Sequence, residues 1–247
     1  MITIKSPAEI DLLRKSGKIL ASIVEELKGS LKSGIKTKDI DQKAEHLITA
    51  HGTKPAFKGY RGFPSCICVS VNEEVVHGIP GNRLIKDGDI VSVDIGIVYG
   101  EYFSDTAFTV GVGEIDAGKQ TLIDVTRESL HRGIEEALID RHLSDISHAI
   151  QQFVESRHFS VVRDFVGHGI GKSLHEDPEV PNFGKPHAGP ILKEGMVLAI
   201  EPMVNMGGWQ TKVLEDGWTV VTKDSKPSAH FEHTVAITKT GPEILTE

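Results

Sequence analysis

Four acidic residues interrupt segments whose other members are mostly apolar. Asp94 lies within Ile90-Val91-Ser92-Val93-Asp94-Ile95-Gly96-Ile97-Val98, and Asp105 within Ser104-Asp105-Thr106-Ala107-Phe108-Thr109-Val110. Glu201 ends Met196-Val197-Leu198-Ala199-Ile200-Glu201, and Glu232 opens a run that continues through Ile237. Short apolar runs of this kind read as buried strands. An unpaired carboxylate in such a place costs several kcal/mol even after relaxation, which is comparable with the net stability of a whole domain. Few Lys or Arg lie nearby in the sequence, so a bound cation is the economical counter-charge.

The first pair sharpens this reading. Tyr99-Gly100 separates two strand-like runs, and a two-residue turn there pairs Val98 with Glu101. That register sets Asp94 directly opposite Asp105, with Cβ atoms about 5 Å apart on one face. Like charges so placed repel unless a proton or a cation lies between them.

Imidazole complements carboxylates around a transition metal. The foremost candidate is His168 in Gly167-His168-Gly169-Ile170-Gly171, where flanking glycines allow close backbone approach. Four carboxylates and one imidazole carry too many oxygens for a catalytic site with a single zinc. They suit two hard-to-borderline divalent ions sharing bridging carboxylates, an arrangement that activates water for hydrolysis. Glu201 is a candidate for taking the water's proton. His175 and His77 are loop histidines that could donate a proton or polarise a carbonyl. His51, His131, His142, His148 and His158 read as structural or exposed. His230 and His233 flank Glu232; His233 falls on the opposite strand face and reads as supporting or structural. Cys66 and Cys68, the two cysteines, would share a strand face. They are too close in sequence for an unstrained disulfide and read as reduced, one of them lining a pocket.

The elements that must position these residues are well marked. Ser6-Pro7-Ala8-Glu9 carries a helix N-cap, a proline at the first helical position and a capping-box glutamate. Ile10, Leu13, Ile19, Leu20, Ile23, Val24 and Leu27 follow at helical spacing. Further helices are expected from Thr37 to about His51, from about Ala117 to Leu138, and after a Ser144 cap. A strand is expected around Ile67–Val71. Two helices followed by two acid-bearing strands thus occur twice, which predicts a pseudo-twofold α/β (α+β) domain, residues 1–247, with an antiparallel sheet backed by helices.

The chain has 247 residues, a formal charge of −8, and 39% hydrophobic and 25% charged residues. The negative charge argues against a primary role on nucleic acid or anionic membranes. The N-terminus lacks a signal-peptide pattern, and no apolar stretch reaches the length of about 20 residues that spans a bilayer. A cytoplasmic enzyme is the expectation.

Taken in order, the motifs closely resemble the type I methionine aminopeptidases of the pita-bread metallopeptidase family. The likeness runs through Gly59-Tyr60-Arg61-Gly62-Phe63-Pro64, Ser70-Val71-Asn72-Glu73-Glu74-Val75-Val76-His77-Gly78-Ile79-Pro80, Asp94-Ile95-Gly96, Ser104-Asp105-Thr106-Ala107, Gly167-His168-Gly169-Ile170-Gly171, Ile200-Glu201-Pro202 and Phe231-Glu232-His233-Thr234. The resemblance implies a pita-bread fold and two divalent ions (Fe(II), Mn, Co or Zn) held by Asp94, Asp105, His168, Glu201 and Glu232. It makes Asp105 and Glu232 bridging and Glu201 the general base. It implies that His175 contacts the substrate carbonyl and His77 the scissile amide or the residue after it. Tyr60, Phe63, Cys68, Leu174 and Trp218 would line the methionine pocket. A monovalent cation near the Asn72 and Glu74 carbonyls and Ser228 is also implied.

The implied substrates are nascent polypeptide N-termini, met at the ribosome by a monomeric enzyme that removes the initiator methionine when residue two is small. Phe57, Val76 and Leu174 depart from residues common in relatives and bear on fine preference. The chain resembles the bare bacterial catalytic core, without the N-terminal extension or the insertion of other classes. Two other readings share the fold: a proline-directed peptidase of the prolidase or aminopeptidase P type, and a non-catalytic interaction module. Extra N-terminal domains are usual in the former, and lost ligands in the latter.

Overall fold

The computed structural model describes residues 1–247. Its first helix, Pro7–Lys28, starts where the sequence signature places it. Ser6 Oγ accepts the Glu9 N–H, and Glu9 Oε2 accepts the Ser6 N–H at 2.8 Å. Two donors of the first turn that have no helical partner are thereby satisfied. Ile10, Leu13, Leu20, Ile23, Val24 and Leu27 are buried along one side, with Ile19 half-buried at its edge.

The remaining helices are Thr37–Ala50, Ala117–Glu135 and Leu143–Glu155. The third ends before the expected Leu138. The fourth begins two residues earlier than expected, with His142 at the N-cap and its N–H bonded to Asp145 at 2.9 Å. Ser144 is not the cap because its hydroxyl accepts the Ala188 N–H, 44 residues along the chain.

Nine strands form one sheet in which every pairing is antiparallel. At its centre the Asp105 strand, Tyr102–Gly111, meets the Glu232 strand, Glu232–Thr238. Outward on one side lie Ile90–Tyr99 and then Ile67–Val71. On the other lie Val197–Ile200, Gly167–Gly169 and Glu176–Val180. Strand alternation sorts the faces. Val91, Val93, Ile95 and Ile97 enter the main core with helix residues such as Leu20 and Ile23. Each such side chain is worth about 1.5–3 kcal/mol relative to exposure. That preference pins the register and leaves Asp94 on the opposite face.

The hairpin register differs from the sequence expectation. The turn is Gly100-Glu101, and Tyr99 pairs with Tyr102. Gly100 takes φ +63°, which glycine adopts without the steric cost of a side chain and which suits the first central position of a hairpin turn. Asp94 therefore lies opposite Ala107, and Asp105 opposite Gly96. The acids are diagonal neighbours rather than a direct pair. Moving the turn by one residue moves each partner by two, so both acids keep the same face.

The cysteines also depart from expectation. Cys66 precedes its strand, its N–H held by Asp41 at 2.8 Å, and its thiol packs in the main core. Cys68 belongs to the smaller cluster on the other face, with Phe63 and Leu174. Both are free thiols. No helix is long and apolar enough to cross a membrane.

Candidate metal centre and its pocket

One row of residues runs across four adjacent strands. Cys68 is opposite Asp94, Asp94 opposite Ala107, and Ala107 opposite Glu232. The Ala107 methyl leaves open the space between the two acids. Asp105 sits one step along, facing the same way, with Gly96 as its partner. Glu201 follows Ile200, the partner of His233. His168 is held between two glycines that admit close backbone approach. A Cβ at Gly167 would fall 2.3 Å from the Ala199 carbonyl oxygen, and one at Gly169 2.2 Å from that of Asp177.

The strand pair bearing Asp105 and Glu232 is joined by hydroxyls as much as by backbone. Its ladder contains only Glu232 with Ala107 and His233 with Thr106. Beyond one end, Thr234 Oγ1 accepts the Asp105 N–H at 3.0 Å and donates to the Asp105 carbonyl at 2.8 Å. Thr106 Oγ1 donates to the Glu232 carbonyl at 2.6 Å. These side chains replace ladder bonds and hold the backbones of two acids while the strands diverge.

The side chains converge. Ligand atoms of Asp105, His168 and Glu232 lie within 4.8 Å of one another. His168 Nε2 is 3.6 Å from Glu201 Oε1 and 4.0 Å from Asp105 Oδ2. Asp94 Oδ1, Asp105 Oδ1 and Glu232 Oε1 are buried without a hydrogen-bond partner. No Lys or Arg pairs with any of the four acids. Burial, followed by repulsion from neighbouring acids, pushes Asp105 and Glu232 well above the carboxylate range. Burial also lifts Asp94 to about 7, opposed by His230 and reinforced by Glu201, and lifts Glu201 to about 7, opposed by His168. Unpaired oxygens of this number, with an imidazole among them, form a donor set that fits divalent metal ions.

The acids open into a cavity of about 140 Å³, roughly ten times the ~10–15 Å³ that on the same measure admits one water. Its apolar wall is Phe57, Tyr60, Phe63, Cys68, Leu174 and Trp218. Phe63 meets Trp218 edge-on at 5.1 Å. His77 and His175 line the same space. His175 lies with its ring centre 4.2 Å from that of His168, and its Nδ1 is 2.8 Å from the Tyr60 hydroxyl. Desolvation, followed by the charge of His168, brings His175 down to about 3; burial, followed by His230, brings His77 down to about 4. Both rings are therefore neutral at pH 7.

A model of metallopeptidase family M24 matches residues 11–239. The chain belongs to metallopeptidase family M24. Among similar M24 proteins, it is 58% identical to a methionine aminopeptidase of Clostridium perfringens over 246 residues, covering all of this chain and 99% of that one. It is 56% identical to methionine aminopeptidase 1 of Bacillus subtilis, with the same coverage. The solved methionine aminopeptidase of Thermotoga maritima superposes with a TM-score of 0.98 at 49% identity, with both chains fully covered. Prolidase from Pyrococcus furiosus shares the M24 fold at a TM-score of 0.80 and 24% identity, and this chain covers 65% of it. The pita-bread architecture is common to these structures.

All five expected ligands and all seven expected substrate-contacting residues surround this one cavity in the M24 chain. Asn72 and Ser228 also meet, with the Ser228 N–H donating to the Asn72 carbonyl at 2.9 Å. The nearby Glu74 carboxylate is engaged by the Val71 N–H and Arg83. Sequence reasoning assigned no role to several residues. Arg61 lines the cavity mouth, its guanidinium 5.4 Å from the Tyr60 ring centre. Buried Asn182 donates to the Glu201 carbonyl at 3.0 Å. The bracketing threonines read only as ordinary strand formers, since nothing local distinguishes a hydroxyl that will meet another strand's backbone.

Proposed function

We propose that this chain is a methionine aminopeptidase that hydrolyses the first peptide bond of polypeptides beginning with methionine, with residues 1–247 acting as one catalytic unit. The observation that carries this reading is a cluster of buried carboxylates with unpartnered oxygens at the floor of an apolar cavity. Full-length relatives at 56–58% identity bear that name. The proline-directed alternative has support only from distant structures that are longer than this chain.

Asp94, Asp105, His168, Glu201 and Glu232 would hold two divalent ions. When bound, the ions supply Lewis acidity and offset the charge of the acids. Glu201 takes the proton of the attacking water as its oxygen bonds to the scissile carbonyl carbon, and that proton then reaches the departing amine as the C–N bond breaks. Neutral His175 hydrogen-bonds the carbonyl oxygen, and neutral His77 the scissile amide or the backbone that follows it. Tyr60, Phe63, Cys68, Leu174 and Trp218 enclose the methionine side chain, a thioether suited to apolar and aromatic contacts. Fe(II), Mn, Co and Zn are all compatible with this oxygen-rich set, so availability selects among them. Asn72, Glu74 and Ser228 would bind a monovalent cation near the Asn72 and Glu74 carbonyls. The substrates are nascent chains with a small second residue, met by a monomer at the ribosome in the cytoplasm.

Protein stripped of metal and reloaded with Co, Mn or Fe(II) is expected to release methionine from Met-Ala-Ser and to leave Xaa-Pro dipeptides intact. Hydrolysis of an Xaa-Pro dipeptide alongside intact Met-Ala-Ser would replace this reading with the proline-directed one.

A further inference from the structure

The hydroxyl bracket on Asp105 has a counterpart. Thr109 Oγ1 accepts the His230 N–H at 2.9 Å and donates to the His230 carbonyl at 2.8 Å, the same two bonds that Thr234 makes to Asp105. The two brackets lie on either side of the short ladder of Glu232 with Ala107 and His233 with Thr106. The pseudo-twofold relation between these strands therefore exchanges Thr109 with Thr234 and His230 with Asp105. The position in the second half that corresponds to Asp105 carries an imidazole.

His230 is 1% exposed, and its Nε2 is buried without a hydrogen-bond partner. That nitrogen lies 3.6 Å from Glu201 Oε2, while His168 Nε2 lies 3.6 Å from Oε1 of the same carboxylate. Glu201 is thus flanked by imidazole nitrogens at both oxygens. His168 lines the cavity, whereas His230 is sealed from solvent. A buried ring nitrogen left unbonded is destabilising, and a small side-chain adjustment closes 3.6 Å to hydrogen-bond distance.

We propose that His230 is a positioning residue for Glu201: its Nε2–H donates to Glu201 Oε2 and leaves Oε1 as the oxygen presented to the cavity. The inference rests on the reading of Glu201 as ligand and base. It also requires the neutral ring to carry its one proton on Nε2. Groups that orient a ligand from behind commonly account for about 10–100-fold in metal affinity or activity.

The test uses His230→Leu, which removes the donor, and His230→Gln, which offers an amide N–H in its place, with Glu201→Gln as reference. Turnover of Met-Ala-Ser by Mn(II)-loaded protein and Mn(II) affinity by calorimetry are measured on each. His230→Leu is expected to lose about 10–100-fold in kcat and in Mn(II) affinity, with KM nearly constant because substrate binding is untouched. His230→Gln is expected to recover most of both. Parent-like turnover and Mn(II) affinity in His230→Leu overturn the proposal, as does a His230→Gln variant no better than His230→Leu. Should His230→Leu fail to fold, long-range ¹⁵N–¹H correlation spectra of the unsubstituted protein decide: the Nε2–H tautomer is expected, and the Nδ1–H tautomer overturns the proposal. Full activity in Glu201→Gln would instead remove the role given to Glu201, while the tautomer still reports on the His230 contact.

Discussion

At the head of the first helix, Glu9 accepts hydrogen bonds from the Ser6 N–H, the Ser6 hydroxyl and the Tyr102 hydroxyl. These donors hold its carboxyl down at about 2. On the concave face of the sheet, Glu232 is the same side chain with an oxygen left without any donor, and burial with neighbouring acids drives it far in the other direction. Asp216 sides with Glu9, taking the Trp218 and Thr219 N–H groups and the Thr219 hydroxyl; Asp94 and Asp105 side with Glu232. The chain supplies donors generously to carboxylates at helix starts and loops and withholds them at the sheet centre. A deficit so localised is a binding property: the missing positive charge comes from outside the polypeptide.

The contrast can be broken most forcefully at Asp105. Asp105→Asn is expected to abolish turnover and lower bound metal, while the metal-free variant melts above metal-free parent protein at neutral pH because a repelling charge is gone. A metal-free variant that melted lower would mean that the acids already have a counter-charge. Metal itself gives the next effect. Ions at about 100 times their dissociation constant should stabilise the parent by about 2.7 kcal/mol, read as a rise in the chemical-denaturation midpoint, and should do little for Asp105→Asn.

The pH dependence should carry opposite signs in the two regions. Asp94 and Glu201 titrate near 7 in the folded metal-free protein and near 4 when unfolded. As pH falls through 7 the folded state takes up protons that the unfolded state does not, so metal-free protein gains stability down to the ordinary carboxylate range. Saturating metal should erase that gain. Glu9, depressed when folded, contributes stability that is present above the unfolded carboxylate value and is lost as pH falls towards 2. The melting difference between parent and Glu9→Gln should therefore shrink on acidification; a difference that widened would reverse the assignment. The smallest effect is expected from Ser6→Ala, which removes the cap and costs about 1 kcal/mol in equilibrium unfolding.

How much could be read in advance follows the range of the interactions involved. The start of the first helix was legible because Ser6, Pro7 and Glu9 satisfy one another within a single turn. The strand Ile67–Val71 was legible from its composition alone. The fourth helix was displaced by two residues because Ser144 is claimed by the distant Ala188 N–H, which no local pattern announces. The hairpin lay one turn residue away from its expected place because two-residue turns at Tyr99-Gly100 and Gly100-Glu101 are equally consistent with the flanking alternation. Only the positive φ of Gly100 at the first central position separates them.

Residue type and alternation along the strands were sufficient to determine that the four acids face inward, that Asp94 and Asp105 share a face, and that a counter-ion is needed, because side-chain direction in a strand has period two and the cost of burying charge is general. Asp105 and Glu232 are buried, and Asp94 and Glu201 half-buried. Tertiary structure alone decided that the acids meet one another and His168 at one cavity, that Ala107 stands between Asp94 and Glu232, and that Thr234 and Thr109 clamp the backbones of Asp105 and His230. Those relations depend on which strands lie side by side and in which register. Interactions between residues more than a hundred positions apart set that register, and no window of sequence contains them.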